Sequence, residues 1–348
     1  MERILITGGA GFIGCNAADY FLSHNRKVDI VDNLSRPGTE RNLEWLRQKY
    51  RGNGRLNFFP VDIRDPYSLK AALNYSKPDA VIHLAAQVAV TTSVADPRTD
   101  NEINAVGTLN ILEVVRTNLG AKDVPILYSS TNKVYGEIKH AVDEEDSRYK
   151  FKDPGLDQNG LAETEPLDFH SPYGCSKGAG DQYVRDFARM YDMPTVVFRQ
   201  SCIYGPRQFG NLDQGWMMHL TKQAIEGKPI TIYGDGKQVR DVLEVSDLVE
   251  LYDIALSNIH RFKGEEFNVG GGPQNKVSLL EHVSFLEKTL GKSINIEFDE
   301  WRPGDQRVYV SDIRKLMGLG WEPSTDVNTG TLRLLDWVRE LVRGELRI

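Results

Sequence analysis

Ile4-Leu5-Ile6-Thr7-Gly8-Gly9-Ala10-Gly11-Phe12-Ile13-Gly14 is a short apolar run, a glycine turn and the start of a helical pattern. A glycine at position 8 allows a tight turn, Gly11 lets the backbone approach a pyrophosphate, and Gly14 lets the helix lie close on the strand. The N–H groups of Phe12 and Ile13, at the helix start, favour an anion. Working outward, a second apolar run ends at Asp32-Asn33, about twenty residues on, where a carboxylate can accept hydrogen bonds from an adenosine ribose. That charge repels a 2′-phosphate, so NAD is expected over NADP, with Arg36 as the nearby cation working the other way. Asp62-Ile63, after a third apolar run, are placed to edge the adenine. Leu84-Ala85-Ala86-Gln87, after a fourth, bring small residues against the cofactor.

The rhythm continues through the first half of the chain. Apolar runs at 3–7, 28–31, 56–61, 80–84, 125–129 and 195–198 read as strands, with helical patterns between them. Such alternation predicts an α/β fold, a doubly wound parallel sheet of Rossmann type. After Arg199 the pattern breaks into short strands and turns such as Tyr204-Gly205-Pro206 and Tyr233-Gly234-Asp235-Gly236, which predicts a smaller α+β lobe. The expected division is 1–199 plus about 242–268 for the dinucleotide-binding part, and 200–241 with 269–348 for the lobe. Residues 137–165 show no period; a connection that long reads equally as a solvated excursion or as a lid over the pocket.

Of the 348 residues, 42 are Lys or Arg and 49 are Asp or Glu, a formal net charge of −7. That balance offers no footprint for nucleic acid or an anionic membrane, and an anionic substrate would need locally placed arginines. Met1-Glu2-Arg3 runs directly into Ile4-Leu5-Ile6, so no secretory leader is expected, and the apolar stretch at 80–90 is too short to span a bilayer. Cys15, Cys175 and Cys202 are too widely spaced for a disulfide framework or a zinc site, which points to a reducing cytoplasm and no metal. His83 and His170 read as structural hydrogen-bonders. Trp216, Trp301 and Trp321 read as core or as platforms for a base.

Tyr173-Gly174-Cys175-Ser176-Lys177 places Tyr173 and Lys177 four apart, on one face of the helix that Ser171-Pro172 starts. A phenol with a pKa near 10 is a poor base at neutral pH. An ammonium one turn away, together with an oxidised nicotinamide, would stabilise its phenolate, and the lysine can also hold the nicotinamide ribose. Thr131, in Tyr128-Ser129-Ser130-Thr131, falls at the end of the fifth strand, the edge where such sheets bind ligands. It can hydrogen-bond the hydroxyl that Tyr173 deprotonates.

In this order the glycine turn, Asp32, Leu84-Ala85-Ala86, Asn104, Thr131, Tyr173/Lys177, Tyr204-Gly205-Pro206-Arg207 and Arg240-Asp241-Val242 resemble the extended short-chain dehydrogenase/reductase family of sugar-nucleotide epimerases and dehydratases. The segments Ser130-Thr131-Asn132-Lys133-Val134-Tyr135-Gly136, 168–178 and Asp213-Gln214-Gly215-Trp216 look like its CDP-paratose (CDP-tyvelose) 2-epimerase branch. The resemblance implies Asn104 at the cofactor, Asn132, Lys133 and Gln214 at the substrate, and Arg240 and Arg302 clamping its pyrophosphate. It also implies a homodimer, with the stretches 98–118 and 176–191 as candidates for the contact. Related dehydratases carry an Asp-Glu pair directly after the threonine, to eliminate water; Asn132-Lys133 stand there in this chain, so elimination is not expected. Cys202 replaces an asparagine that many relatives place near the substrate phosphates. The expected substrate is a nucleotide-linked sugar, a CDP-hexose inverted at carbon 2 through a transient keto sugar. The alternatives are a UDP-hexose 4-epimerase and a non-catalytic NAD-binding regulator.

Overall fold

In the computed structural model, which describes residues 1–210, 214–302 and 305–344, seven parallel strands form one sheet. They are β1 (Arg3–Thr7), β2 (Lys27–Val31), β3 (Leu56–Phe59), β4 (Ala80–His83), β5 (Ile126–Thr131), β6 (Thr195–Gln200) and β7 (Glu266–Val269), in the order β7-β6-β5-β4-β1-β2-β3. The strand order reverses between β1 and β4, whose register pairs Ile4 with Ala80 and Thr7 with His83. Ligands bind outside the carboxyl ends of the strands at such a switch point.

Period-two alternation divides the core between the two faces. Ile4, Ile6, Val28, Ile30, Ala80, Ile82, Leu127, Val196 and Phe198 face the helices Phe12–Ser23 and Val245–Ser257. Leu5, Val31, Val81, Ile126, Tyr128 and Val197 face the other way, toward Pro66–Ser76, Gly107–Val115 and Ser171–Tyr191. A strand buried on both faces reads as a continuous apolar run, which is why β1 was legible. Two strands run further than hydropathy suggested: Ser130 pairs with Arg199 and Thr131 with Gln200. These polar ends are buried because Asp181 accepts from Ser130 Oγ (2.8 Å) and from Arg199 Nε (3.0 Å).

The lobe is organised on the strand Val239–Glu244. It pairs with Lys276–Ser278, Val308–Tyr309 and Cys202–Tyr204, and a separate parallel pair joins Ile230–Tyr233 to Ile296–Asp299. Residues 137–165 carry secondary structure of their own. They form a hairpin of Val142–Glu144 and Tyr149–Phe151 and a helix Pro154–Asn159. Tyr149, Phe151 and Leu161 are buried against Val239, Val308 and Val310, and Leu161 N–H donates to the Val310 carbonyl (2.8 Å). No helix among the described residues is long and apolar enough to cross a membrane.

Candidate active site

A cavity of about 930 Å³ runs along the carboxyl edge of the sheet, from Asp32 and Asp62 at one end to Arg240 and Arg302 in the lobe. The glycine turn forms its floor. Gly8 takes φ +67° and donates its N–H to the Val31 carbonyl (2.8 Å), while Gly11 N–H donates to the Gly8 carbonyl (2.9 Å). A Cβ on Gly14 would stand 2.2 Å from the Gly8 carbonyl oxygen, and one on Gly8 2.7 Å from Ala85 N, so neither position accepts a side chain. No side chain caps the helix that starts at Phe12. Its first N–H groups, with Phe12 and Ile13 lining the cavity, are left for an anion.

Asp32 is buried, accepts from Ala10 N–H (3.0 Å) and Leu34 N–H (2.8 Å), and lines the cavity; burial raises its pKa, and those two N–H groups lower it. Asn33 donates to Asp62 (2.9 Å), and Arg64 on the same carboxylate holds its pKa down to about 2. Asn33, Asp62, Ile63, Leu84, Ala85 and Ala86 all line the cavity. Gln87 and Asn104, expected at the cofactor, are not among the lining residues and stand behind the wall. Asn104 accepts from Gln87 N–H (2.9 Å) and donates to the Gln87 carbonyl (3.0 Å), fixing the loop after β4. His83 bridges Thr7 (2.7 Å) and Thr108 (3.0 Å), and burial pushes its pKa down to about 3, so it is neutral at physiological pH.

Thr131 ends β5, and Tyr173 lies in the first turn of Ser171–Tyr191, held by its N–H to Ser93 Oγ (3.1 Å). Both side chains line the cavity wall. Tyr173 is 8% exposed; burial pushes its pKa up to about 12, against the nearby Thr131 hydroxyl and the Arg36 charge, which lower it. Lys177 reaches the same cavity, but its Nζ donates to the Ser129 carbonyl (2.5 Å) and lies 4.3 Å from the centre of the Tyr128 ring. Burial lowers its pKa to about 7, while Asp181 and Asp100 hold it up. The sequence argument gave the phenol its cation from Lys177. In the structure Lys177 Nζ is engaged by the Ser129 carbonyl, and the Arg36 charge also favours the Tyr173 phenolate. Sequence reasoning considered Arg36 only for a 2′-phosphate, yet its guanidinium crosses the cleft and donates to Gln214.

The other end of the cavity is cationic. Arg240 ion-pairs with Asp305 (2.6 Å) and donates to the Val239 carbonyl (2.8 Å), and Arg302 lies 4.2 Å from the centre of the Tyr233 ring. Lys133, Asn132, Cys202 and Gln214 line the same space. Burial and the nearby Arg240 both lower the Lys133 pKa. Asp213, which opens one of the quoted sequence patterns, lies outside the described residues. Trp321 is core, donating to the Asp247 carbonyl (3.1 Å), while Trp216 lines the cavity and Trp301 packs over Gly234. Among the described residues no group of three or more His, Cys, Asp or Glu is arranged to hold a metal ion. An uncapped helix start, a glycine cradle and a carboxylate at the end of β2 suit a dinucleotide. A phenol beside a threonine suits proton transfer to and from an alcohol, and two arginines suit a pyrophosphate.

The chain matches the model of the GDP-mannose 4,6 dehydratase family over residues 5–334. It is 43% identical over 346 residues to the CDP-paratose 2-epimerase of Salmonella typhi, covering 97% of this chain and all of that one. The crystal structure of UDP-glucose 4-epimerase from Thermotoga maritima with UDP-glucose superposes with a TM-score of 0.82 at 30% identity, covering 98% of this chain and 99% of that one. The Thermus thermophilus UDP-glucose 4-epimerase complex with NAD gives a TM-score of 0.81 at 31% identity, covering 97% and 99%. Because the match runs from β1 into the last helix, Val327–Arg343, and so takes in both sides of the cavity, the chain belongs to this family of extended short-chain dehydrogenase/reductases as a whole, not through its dinucleotide turn alone.

Proposed function

We propose that the protein is an NAD-dependent epimerase that inverts carbon 2 of a CDP-linked hexose, interconverting sugars of the CDP-paratose and CDP-tyvelose type. The observation that carries this reading is the 43% identity, from end to end, to a CDP-paratose 2-epimerase. It is joined by Thr131 and Tyr173 on the wall of one cavity, with Asn132-Lys133 after the threonine where a dehydratase would need an acid and a base.

The glycine turn, Asp32, the loop at Leu84-Ala85-Ala86 and Lys177 would hold the cofactor. The chemistry it supplies is reversible hydride acceptance from the carbinol carbon, together with a positive charge that makes the phenol more acidic. Tyr173, so acidified, takes the hydroxyl proton while Thr131 holds the oxygen. The product at that carbon is a ketone. Arg240 and Arg302 keep the pyrophosphate clamped while the sugar turns its other face, and Tyr173 then returns the proton as the hydride comes back. Net redox change is zero. We also propose that two copies pair through the stretches 98–118 and 176–191, which expose Val106, Tyr183, Met190 and Tyr191, and that the enzyme works in the cytoplasm.

The test is incubation with CDP-paratose and with UDP-glucose, following epimer formation and NADH. The expected result is a CDP-hexose epimerised at carbon 2 with no net NADH. Inversion of carbon 4 of the UDP-sugar alone would assign the second reading, which the likeness to two UDP-glucose 4-epimerase structures supports. A 4-keto-6-deoxy product would make the protein a dehydratase, and steady NADH release an ordinary dehydrogenase. A protein that binds NAD but converts neither sugar would be the non-catalytic regulator.

A further inference from the structure

We propose that Asp100 is a positioning residue for the proton transfer: a buried carboxylate that fastens the Tyr173/Lys177 helix to the loop after β4 and whose charge both side chains feel. The inference rests on the proposed epimerase chemistry.

Asp100 lies in the short helix Pro97–Asn101 and is 1% exposed. Its Oδ1 accepts from Gln87 Nε2 (2.7 Å) and Asn104 Nδ2 (3.1 Å), and its Oδ2 from Ser176 Oγ (2.5 Å). Ser176 stands between Tyr173 and Lys177 on their helix, and Gln87 belongs to the loop that presents Ala85 and Ala86 to the cavity. One carboxylate thus ties together the two segments that must face each other across the reacting carbon. Asp100 makes no ion pair among the described residues; its partners are two amides and a hydroxyl. A buried charge is costly without a cation, and an amide could bond the same groups at lower cost. Holding a charge there is understandable if the charge itself acts on its neighbours.

It acts on both proton-handling groups. Tyr173 faces Thr131 on β5, Arg36 from the loop after β2, and Asp100; the threonine and the arginine favour its phenolate, and Asp100 opposes it. Lys177 faces the Ser129 carbonyl and Tyr128 ring on β5, neutral His83 on β4, Asp181 on its own helix, and Asp100; the two carboxylates keep its ammonium charged against burial. Removing the Asp100 charge therefore releases a proton more easily from Tyr173 and from Lys177 alike. Both limbs of the pH–rate profile move toward lower pH. Loss of a packing contact alone would lower the rate without moving either limb.

The experiment compares the full chain with Asp100→Asn, which leaves an oxygen for Gln87 and Asn104 and turns an N–H toward Ser176 Oγ, able to accept it. Asp100→Ser is a smaller companion variant in case the amide disturbs folding. Two readouts are taken: kcat against pH with CDP-paratose, and the near-UV phenolate signal of the NAD-loaded protein minus its Tyr173→Phe counterpart. Both limbs and the phenolate transition are expected to shift to lower pH, on the order of one unit. A uniform loss of rate with limbs and phenolate transition unmoved would overturn the proposal, as would failure of both variants to fold, which would assign Asp100 to the scaffold alone. If the unaltered protein epimerises no nucleotide sugar, the functional reading falls, while the phenolate shift still decides the role of Asp100.

Discussion

Gly14→Ala puts the dinucleotide reading under direct strain. The added Cβ would stand 2.2 Å from the Gly8 carbonyl oxygen and 2.6 Å from Gly9 Cα. Carbon–oxygen contacts of this kind settle at about 3.3–3.6 Å, so the helix must lift from the turn by about 1 Å. Both obstructing atoms are backbone, and no side chain can swing aside to absorb the displacement. Overpacking of this kind costs about 1–3 kcal/mol of stability, visible as a melting temperature lowered by several degrees. The same lift withdraws the first N–H groups of the helix from the pyrophosphate. NAD affinity is then expected to fall at least about tenfold, or about 1.4 kcal/mol, and turnover by about 10²-fold, the cost of misplacing reacting groups by an ångström. Gly318→Ala is the control, because a Cβ there meets nothing closer than 3.5 Å and the backbone φ of −63° suits any residue. Calorimetric titration with NAD, thermal melting and steady-state kinetics on the two variants test the chain of argument. A Gly14→Ala protein that binds NAD and melts like the unaltered chain would show that the turn has room the geometry denies.

Other consequences can be measured separately. Tyr173→Phe should lower kcat by about 10²–10⁴-fold while NAD binding persists, since the ring and its packing remain and only the proton acceptor is gone; equilibrium dialysis beside kinetics separates the two. Arg240→Met leaves the Asp305 carboxylate without its partner at the pyrophosphate end; a rise in KM for the nucleotide sugar of at least about tenfold is expected, with NAD affinity unchanged. Lys177 is ammonium below its depressed pKa of about 7 and neutral amine above it. If the charged form serves the reaction, kcat/KM, which reports the free enzyme, should fall as pH rises through that value, and a profile flat from mildly acid to mildly alkaline pH would refute the assignment. The same depression means that the unfolded chain binds more protons at this lysine than the folded one between about 7 and its ordinary value near 10.4. Its contribution to stability therefore rises with pH across that window.

Much of the fold was legible because β1 and its neighbours are buried on both faces, which writes them as unbroken apolar runs, and because the glycine turn marks where a strand must feed a helix. The apolar runs stop short of the ends of β5 and β6 for the converse reason: Ser130, Thr131, Arg199 and Gln200 are polar, and Ser130 and Arg199 are buried on Asp181. The segment 137–165 was illegible because its strands are three residues each and its apolar side chains pair with residues more than seventy positions away. In the site, spacing alone placed Tyr173 and Lys177 on one helical face, and both line the cavity.

What the sequence by itself determined is the set of local commitments: a strand–glycine–helix turn that admits no Cβ, a carboxylate one strand later, and a tyrosine and lysine one helical turn apart. These follow from backbone sterics and helical period, which act over a few residues. Only the tertiary structure decided which charges those groups feel. Arg36 crosses the cleft to Gln214, Lys177 turns to the Ser129 carbonyl, Asn104 and Gln87 stand behind the wall, and Asp100 is buried against Ser176 on the Tyr173/Lys177 helix. Burial and charge proximity depend on which distant segments meet, and no local pattern in the chain encodes that distance.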